Sequence, residues 1–193
     1  MSATAEFAIF ETPIGPCGIV WSARGIVATY LPEKDRQTTY ARLKRRFSDA
    51  REATPPAPVQ AAINSICALL SGEACDLRDI EIAIDPAAPE FHARVWAEAR
   101  RIPPGETRTY GEIAKALGAP EKAREVGQAM GANRFPIIVP CHRVLGAGGK
   151  IGGFSAPGGT ETKLRMLTIE RARTGRTPTL FADLPLAAAP RKA

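Results

Sequence analysis

Two prolines within five residues, in Asp85-Pro86-Ala87-Ala88-Pro89, divide this chain into stretches of different character. Proline cannot donate to a sheet ladder and breaks a helix interior, so the pair closes one stretch of structure and opens another. Ahead of the break, residues 7–10, 17–21 and 26–31 are β-branched or aromatic runs, separated by turns at 13–16 and 23–25, and they predict strands. The alternation Ile80-Glu81-Ile82-Ala83-Ile84 predicts one more. Residues 35–48 place Tyr40, Leu43 and Phe47 at helical spacing, with the run Lys44-Arg45-Arg46 reading as the solvated face. Prolines at 55, 56 and 58 interrupt, and residues 59–70 predict a second helix ended by Gly72. Behind the break the pattern turns helical. Phe91, Val95, Trp96 and Ala99 share one helix face. Thr109 and Glu112 form a capping box for a helix over 110–117, and Gly118-Ala119-Pro120 turns into another over 121–132. A last helix spans 160–173, with Leu164, Leu167 and Ile169 inward. The expected fold class is α+β: an α/β domain over residues 1–85, a mostly helical domain over 86–176, and a loosely ordered tail over 177–193.

Charge is placed unevenly. Residues 1–93 hold 9 Lys and Arg against 12 Asp and Glu, while residues 94–176 hold 15 against 7. A basic back half is either a solvated surface or the face that meets a polyanion. The two short helices joined by a Gly-containing turn fit the second reading, as a helix-turn-helix, although such pairs also serve as plain packing units. No apolar run approaches a membrane span, and the start lacks a basic region followed by an apolar one, so a cytoplasmic protein is expected. The cysteines at 17, 67, 75 and 141 form no Cys-x-x-Cys pair, and two histidines do not easily complete a zinc site. Free thiols and no metal are expected.

Residues 137–144, Ile-Ile-Val-Pro-Cys-His-Arg-Val, carry the chemistry. The apolar run predicts a short buried strand or extended segment that stops at Pro140 and presents Cys141 at the end of a rigid element. A thiol attacks only as thiolate, and a neighbouring His or Arg assists that ionisation, yet a cysteine after an apolar run is also the pattern of an inert core residue. On the helix over 121–132, Gly127 and Gly131 lie on one face, each weakening the helix by about 1 kcal/mol. Either another backbone packs there or the helix enters a narrow space such as a minor groove. The Gly-rich stretch 146–155 lacks phosphate-loop spacing and reads as turns and a pocket wall.

Together these residues resemble the O6-alkylguanine-DNA alkyltransferases. The resemblance covers residues 91–170: Ile102-Pro103-x-Gly105-x-Thr107-x-x-Tyr110, Ala123-Arg124-x-Val126-Gly127, Asn133, Pro140-Cys141-His142-Arg143-Val144, Gly152-Gly153, and Lys163 and Glu170 on the last helix. It implies a ribonuclease-H-like front domain and a winged helix-turn-helix-like back domain carrying the cysteine. It implies single-turnover repair of double-stranded DNA, with O6-alkylguanine flipped from the stack and its alkyl group moved irreversibly to Cys141, at an extrusion cost of a few kcal/mol. His142 would take the thiol proton and Glu170 would orient the imidazole. Arg124 would fill the gap left by the flipped base, with Ala123 and Gly127 facing the groove, and Tyr110 would press on the neighbouring phosphate and donate a proton. Asn133, Pro140, Val144, Phe154, Ser155 and Lys163 would form the lesion pocket. No cofactor and a monomer are implied. Phe154 stands where the family often has Tyr, Ala156-Pro157 alters the pocket rim, and Glu125 puts an acid beside Arg124. The rival readings are a turning-over cysteine hydrolase and a lesion-binding protein without chemistry.

Overall fold

The computed structural model describes residues 5–172. In the front half, β1 (Glu6–Phe10), β2 (Cys17–Ser22) and β3 (Gly25–Tyr30) form an antiparallel meander. A two-residue β4 (Arg51–Glu52) adds parallel to β1, giving the order β3-β2-β1-β4. The central β2 is buried from Cys17 to Trp21 because both sheet faces are covered. On one face Phe7, Val20, Ala28 and Tyr30 pack with Leu43 of α1 (Arg36–Arg46). On the other, Cys17, Ile19 and Trp21 pack with Ile63 and Ile66 of α2 (Ala57–Leu70). This period-2 division of side chains is what a two-sided sheet requires. Asp35 caps α1 by accepting from the Thr38 amide at 2.8 Å. Tyr40 is more exposed than its spacing predicts and meets Phe7 edge-on at 5.7 Å. α2 starts inside the proline run, where a missing amide hydrogen leaves no helical bond unmade.

The alternating stretch 80–84 does not extend into a strand. It makes one bridge, Ile82 to Ile26, with the Ala83 amide donating to Ile26 O at 2.7 Å. Arginine side chains take the carbonyls a ladder would use: Arg100 donates to Ile80 O at 2.5 Å and Arg24 to Ile84 O at 3.2 Å.

The back half comprises α3 (Glu90–Ala99), α4 (Tyr110–Ala116), α5 (Ala123–Gly131) and α6 (Gly159–Ile169), with a parallel pair of β5 (Arg108–Thr109) and β6 (Val144–Leu145). The Thr109–Glu112 capping box forms as predicted. A 3-10 turn, Pro120–Lys122, joins α4 to α5, so α5 begins two residues later than expected. Trp96 ties α3 to α5 by donating to Ala129 O at 2.8 Å. α6 ends before the predicted 173; Lys163, Met166 and Leu167 face inward, and Leu164 is exposed. One apolar core runs through both halves, from Ile19 and Trp21 through Val95 and Val126 to Met166. The expected tail over 177–193 lies outside the described residues. No helix among them is long and apolar enough to cross a membrane. The architecture is mixed α+β.

Candidate active site

The segment leading to Cys141 is a tight turn where a short strand or extended segment was expected. Val139 N donates back to Phe135 O at 2.8 Å, and Cys141 N to Val139 O at 2.8 Å. Between them Ile137 is held at φ 78° while 2% exposed, a conformation that β-branched side chains rarely adopt. Such strain persists only where the surroundings over-determine it. Two clamps do so. Asn133 spans the turn from within, donating to Val139 O at 2.9 Å and accepting from the Phe135 amide at 2.8 Å. Thr29 of β3 grips it from the front half: its amide donates to Arg134 O at 2.9 Å and its hydroxyl to Pro136 O at 2.7 Å. Replacing Asn133 by Ala leaves a buried carbonyl and amide without these partners. We expect Asn133→Ala to cost about 1–3 kcal/mol of stability, read from urea denaturation, and to slow reaction of the Cys141 thiol.

Cys141 opens a 3-10 turn, Cys141–Arg143, with His142 and Arg143 buried behind it. His142 Nε2 lies 2.8 Å from Glu170 Oε1. Arg143 forks onto the same carboxylate, Nε to Oε2 and Nη2 to Oε1, both at 2.8 Å, while its Nη1 donates to Ile102 O at 2.6 Å. Gly105 makes room for this carboxylate-bearing end of α6: it sits at φ 85°, and an added Cβ would stand 3.3 Å from Glu170 O. Burial works to raise the Glu170 carboxyl, but the hydrogen bonds and charges of His142 and Arg143 outweigh it and hold its pKa at about 2. Burial pushes His142 below its usual value despite Glu170. A neutral imidazole facing an ionised carboxylate must donate through Nε2, which leaves Nδ1 a free lone pair. That buried nitrogen has no hydrogen-bond partner among the described residues, so the tautomer makes it an available base.

Burial likewise pushes the Cys141 thiol up, opposed by a hydrogen bond with Asn133 and the charge of Lys163. The resting group is therefore a thiol that needs a base at the moment of attack. Lys163 is completely buried, donates to Val144 O at 2.6 Å and stands 5.9 Å over the Phe154 ring. Tyr110 opens α4, and an added Cβ at Gly152 would meet its ring at 3.4 Å, at Gly127 at 4.0 Å. The Gly127 face of α5 is thus partly a seat for this ring, whereas a Cβ at Gly131 would meet nothing. Burial and the neighbouring Cys141 raise the Tyr110 pKa, keeping the phenol protonated.

Cys141 opens onto a cleft of about 1020 Å³ whose walls include Tyr110, Gly127, Asn133, Phe154 and Ser155. The family whose model matches residues 90–172 is described as 6-O-methylguanine DNA methyltransferase, DNA binding domain. Over 178 residues the chain is 37% identical to the methylated-DNA–protein-cysteine methyltransferase of Mycobacterium tuberculosis, covering 91% of this chain and 98% of that one. The chain belongs to the methylated-DNA–protein-cysteine methyltransferase family.

A relative of the same name from Methanosarcina acetivorans is 36% identical, over 85% of this chain and 97% of that one. The crystal structure of Mycobacterium tuberculosis OGT in complex with DNA superposes with a TM-score of 0.69 at 34% identity, covering 86% of this chain and 92% of that one.

In this methyltransferase the sequence-predicted residues fall into three places. Tyr110, Gly127, Asn133, Cys141, Phe154 and Ser155 line the cleft. His142, Glu170, Lys163, Pro140 and Val144 stand behind or beside Cys141, out of the cleft wall, with Val144 buried in β6. Ala123 and Arg124 start α5, and Arg124 is exposed, with no ion pair among the described residues. Glu125 pairs with Lys122 at 3.4 Å, which sets a cation against its charge. Two contributors escaped the sequence reading. Arg143 had no role beyond its place in the motif, and Thr29 lies in a strand whose pattern signals only burial. No group of His, Cys, Asp or Glu among the described residues could hold a metal ion.

Proposed function

We propose that this protein repairs duplex DNA by moving the alkyl group of O6-alkylguanine to Cys141, once per molecule. The observation that carries this reading is Cys141 opening onto a cleft that α5 also lines, with the His142–Glu170 pair buried behind it. Nδ1 of His142 takes the thiol proton through one bridging water, and Glu170 holds the ring in the tautomer that permits it. The sulfur then attacks the alkyl carbon: the S–C bond forms, the C–O6 bond breaks, and the electron pair leaves on the guanine. Tyr110, kept protonated by its surroundings, donates a proton to the departing base, and the imidazolium makes good that proton. The thioether has no reverse route within the site, which makes the reaction stoichiometric.

Delivery of the lesion rests on α5. Arg124 projects unpaired from its first turn and fills the stack where guanine has left, while Ala123 and Gly127 let the helix approach the minor groove. Phe154 stacks on the extruded base, Ser155 offers hydrogen bonds at the rim, and Asn133, Pro140, Val144 and Lys163 fix the floor. In this reading residues 1–85 are a ribonuclease-H-like domain and residues 86–176 a winged helix-turn-helix-like domain. The deciding experiment is intact-protein mass after incubation with a duplex carrying one O6-methylguanine. We expect the mass of one methyl in place of one hydrogen, mapped to Cys141 and saturating at one per protein. A lesion that is bound and stays intact, with no mass change, would overturn the reading.

A further inference from the structure

The front half is acidic overall, yet four of its nine cationic side chains fall within residues 42–46. They occupy the last two turns of α1, and Arg42, Arg45 and Arg46 line the same cleft as Cys141, joined from the back half by Arg134. The ordinary use of cations at a helix C-terminus is to satisfy its last carbonyls. Lys44 acts in this region, donating to Ser48 O and to Ala50 O just beyond the helix. Arg42 is neutralised by Glu33 at 2.5 Å, and Arg134 by Asp85 at 3.3 Å. Arg45 and Arg46 are exposed and have neither a carboxylate nor a carbonyl partner among the described residues.

A second observation falls at the same spot. Tyr30, at the end of β3, lines the cleft and is 9% exposed, and its buried hydroxyl has no hydrogen-bond partner among the described residues. The charges of Arg46, Arg42 and Arg134 all reach that phenol. Arg42, Arg46 and Arg134 thus share this part of the cleft with an unused donor, and two positive charges are left over once Arg45 is counted and Glu33 and Asp85 are set against Arg42 and Arg134. Guanidinium favours phosphate by its planar fork of donors.

We infer that Arg45 and Arg46, with Tyr30 and Arg134 lining the same cleft, form a second phosphate-binding site in which the front domain grips the backbone of the duplex whose lesion enters the cleft. This rests on the reading of α5 as the lesion-delivering helix. The occupant is DNA because the site opens into the cleft that must receive the lesion strand, and because its surplus charge complements a polyanion. Its contribution is affinity and register, without base specificity.

The test is the salt dependence of binding to a lesion-bearing duplex, with the full chain, for wild type, Arg45→Gln/Arg46→Gln and Arg45→Lys/Arg46→Lys. Loss of two phosphate contacts should reduce the slope of log K against log salt by about 1.8 in the Gln pair, so that its weakening relative to wild type is about tenfold greater at 50 mM than at 200 mM salt. The Lys pair should keep most of the slope, since charge is retained. A Gln pair with the wild-type slope and affinity would overturn the inference, as would a Lys pair that fails as badly as the Gln pair. Failure of the underlying reading looks different: wild type itself would then gain no methyl from the duplex.

Discussion

Cys141→Ala is expected to abolish alkyl transfer entirely while the protein still binds a lesion-bearing duplex. The substitution removes one sulfur from a half-buried position and leaves His142, Glu170 and Arg143 with every hydrogen bond they now make. The front-half thiols at 17 and 67 are poor substitutes. Cys17 is buried in the front core, where burial pushes its pKa up to about 12. Cys67 sits on α2 and its thiol, also raised by burial, donates to Glu11 O at 3.6 Å. Intact-protein mass spectrometry should show no methyl gain in the variant, and a gel-shift titration should show the lesion duplex retained. Methyl transfer at another cysteine would remove Cys141 from its role. Loss of duplex binding would mean that the thiol is needed to shape the cleft.

Glu170→Ala is expected to cause the largest loss of stability of any single change in the site, about 3–5 kcal/mol, because it leaves the buried Arg143 guanidinium without its counter-charge. The Glu170 side chain is 2% exposed and that of Arg143 4%, so solvent does little to compensate. Glu170→Gln should recover part of the loss by keeping one acceptor. The same carboxylate gives wild type an acid signature. Its folded pKa of about 2 lies below its ordinary 4.5. The stability it contributes is therefore complete above about pH 4.5 and is lost as pH falls through that value toward 2; integrated, this is on the order of 3 kcal/mol. His142 acts in the same direction at a higher pH: held neutral by burial, it contributes fully above its ordinary 6.5, and the contribution fades as pH falls below that. Urea midpoints measured from about pH 7 down to about pH 3 should decline more steeply in wild type than in Glu170→Ala. Parallel curves would show that the carboxylate is not held ionised by its partners.

Much of this was legible in the residues alone. The three meander strands, the Thr109–Glu112 cap, the existence of α2 and the inward face of α3 follow from spacing that local physics obeys. The strand expected at 80–84 failed for a non-local reason: arginines 20 and 60 positions away claim its carbonyls. The strand or extended segment expected before Pro140 is a turn because Asn133 and Thr29 hold it bent, and the contact between Thr29 and Pro136 spans 107 positions. The proposed trio of Cys141, His142 and Glu170 could be named from motif and resemblance. Its tautomer could not, since that depends on Glu170 being shared between His142 and Arg143. Likewise Lys44, Arg45 and Arg46 look alike as a charged run, and only their partners separate the one that ties down the chain beyond the helix from the two left over.

The grip of Thr29 on the active-site turn also bears on how the molecule comes apart. The proline-marked boundary near residue 85 divides the sequence, but the reactive turn belongs to both sides of it, tethered at Arg134 and Pro136 by a strand from the first. With an apolar core continuous across the same boundary, the two halves are expected to open as one cooperative unit at this point. The amides that brace Cys141 should exchange with solvent only when the front sheet opens too, so the geometry that makes the thiol useful is guarded by a distant part of the chain.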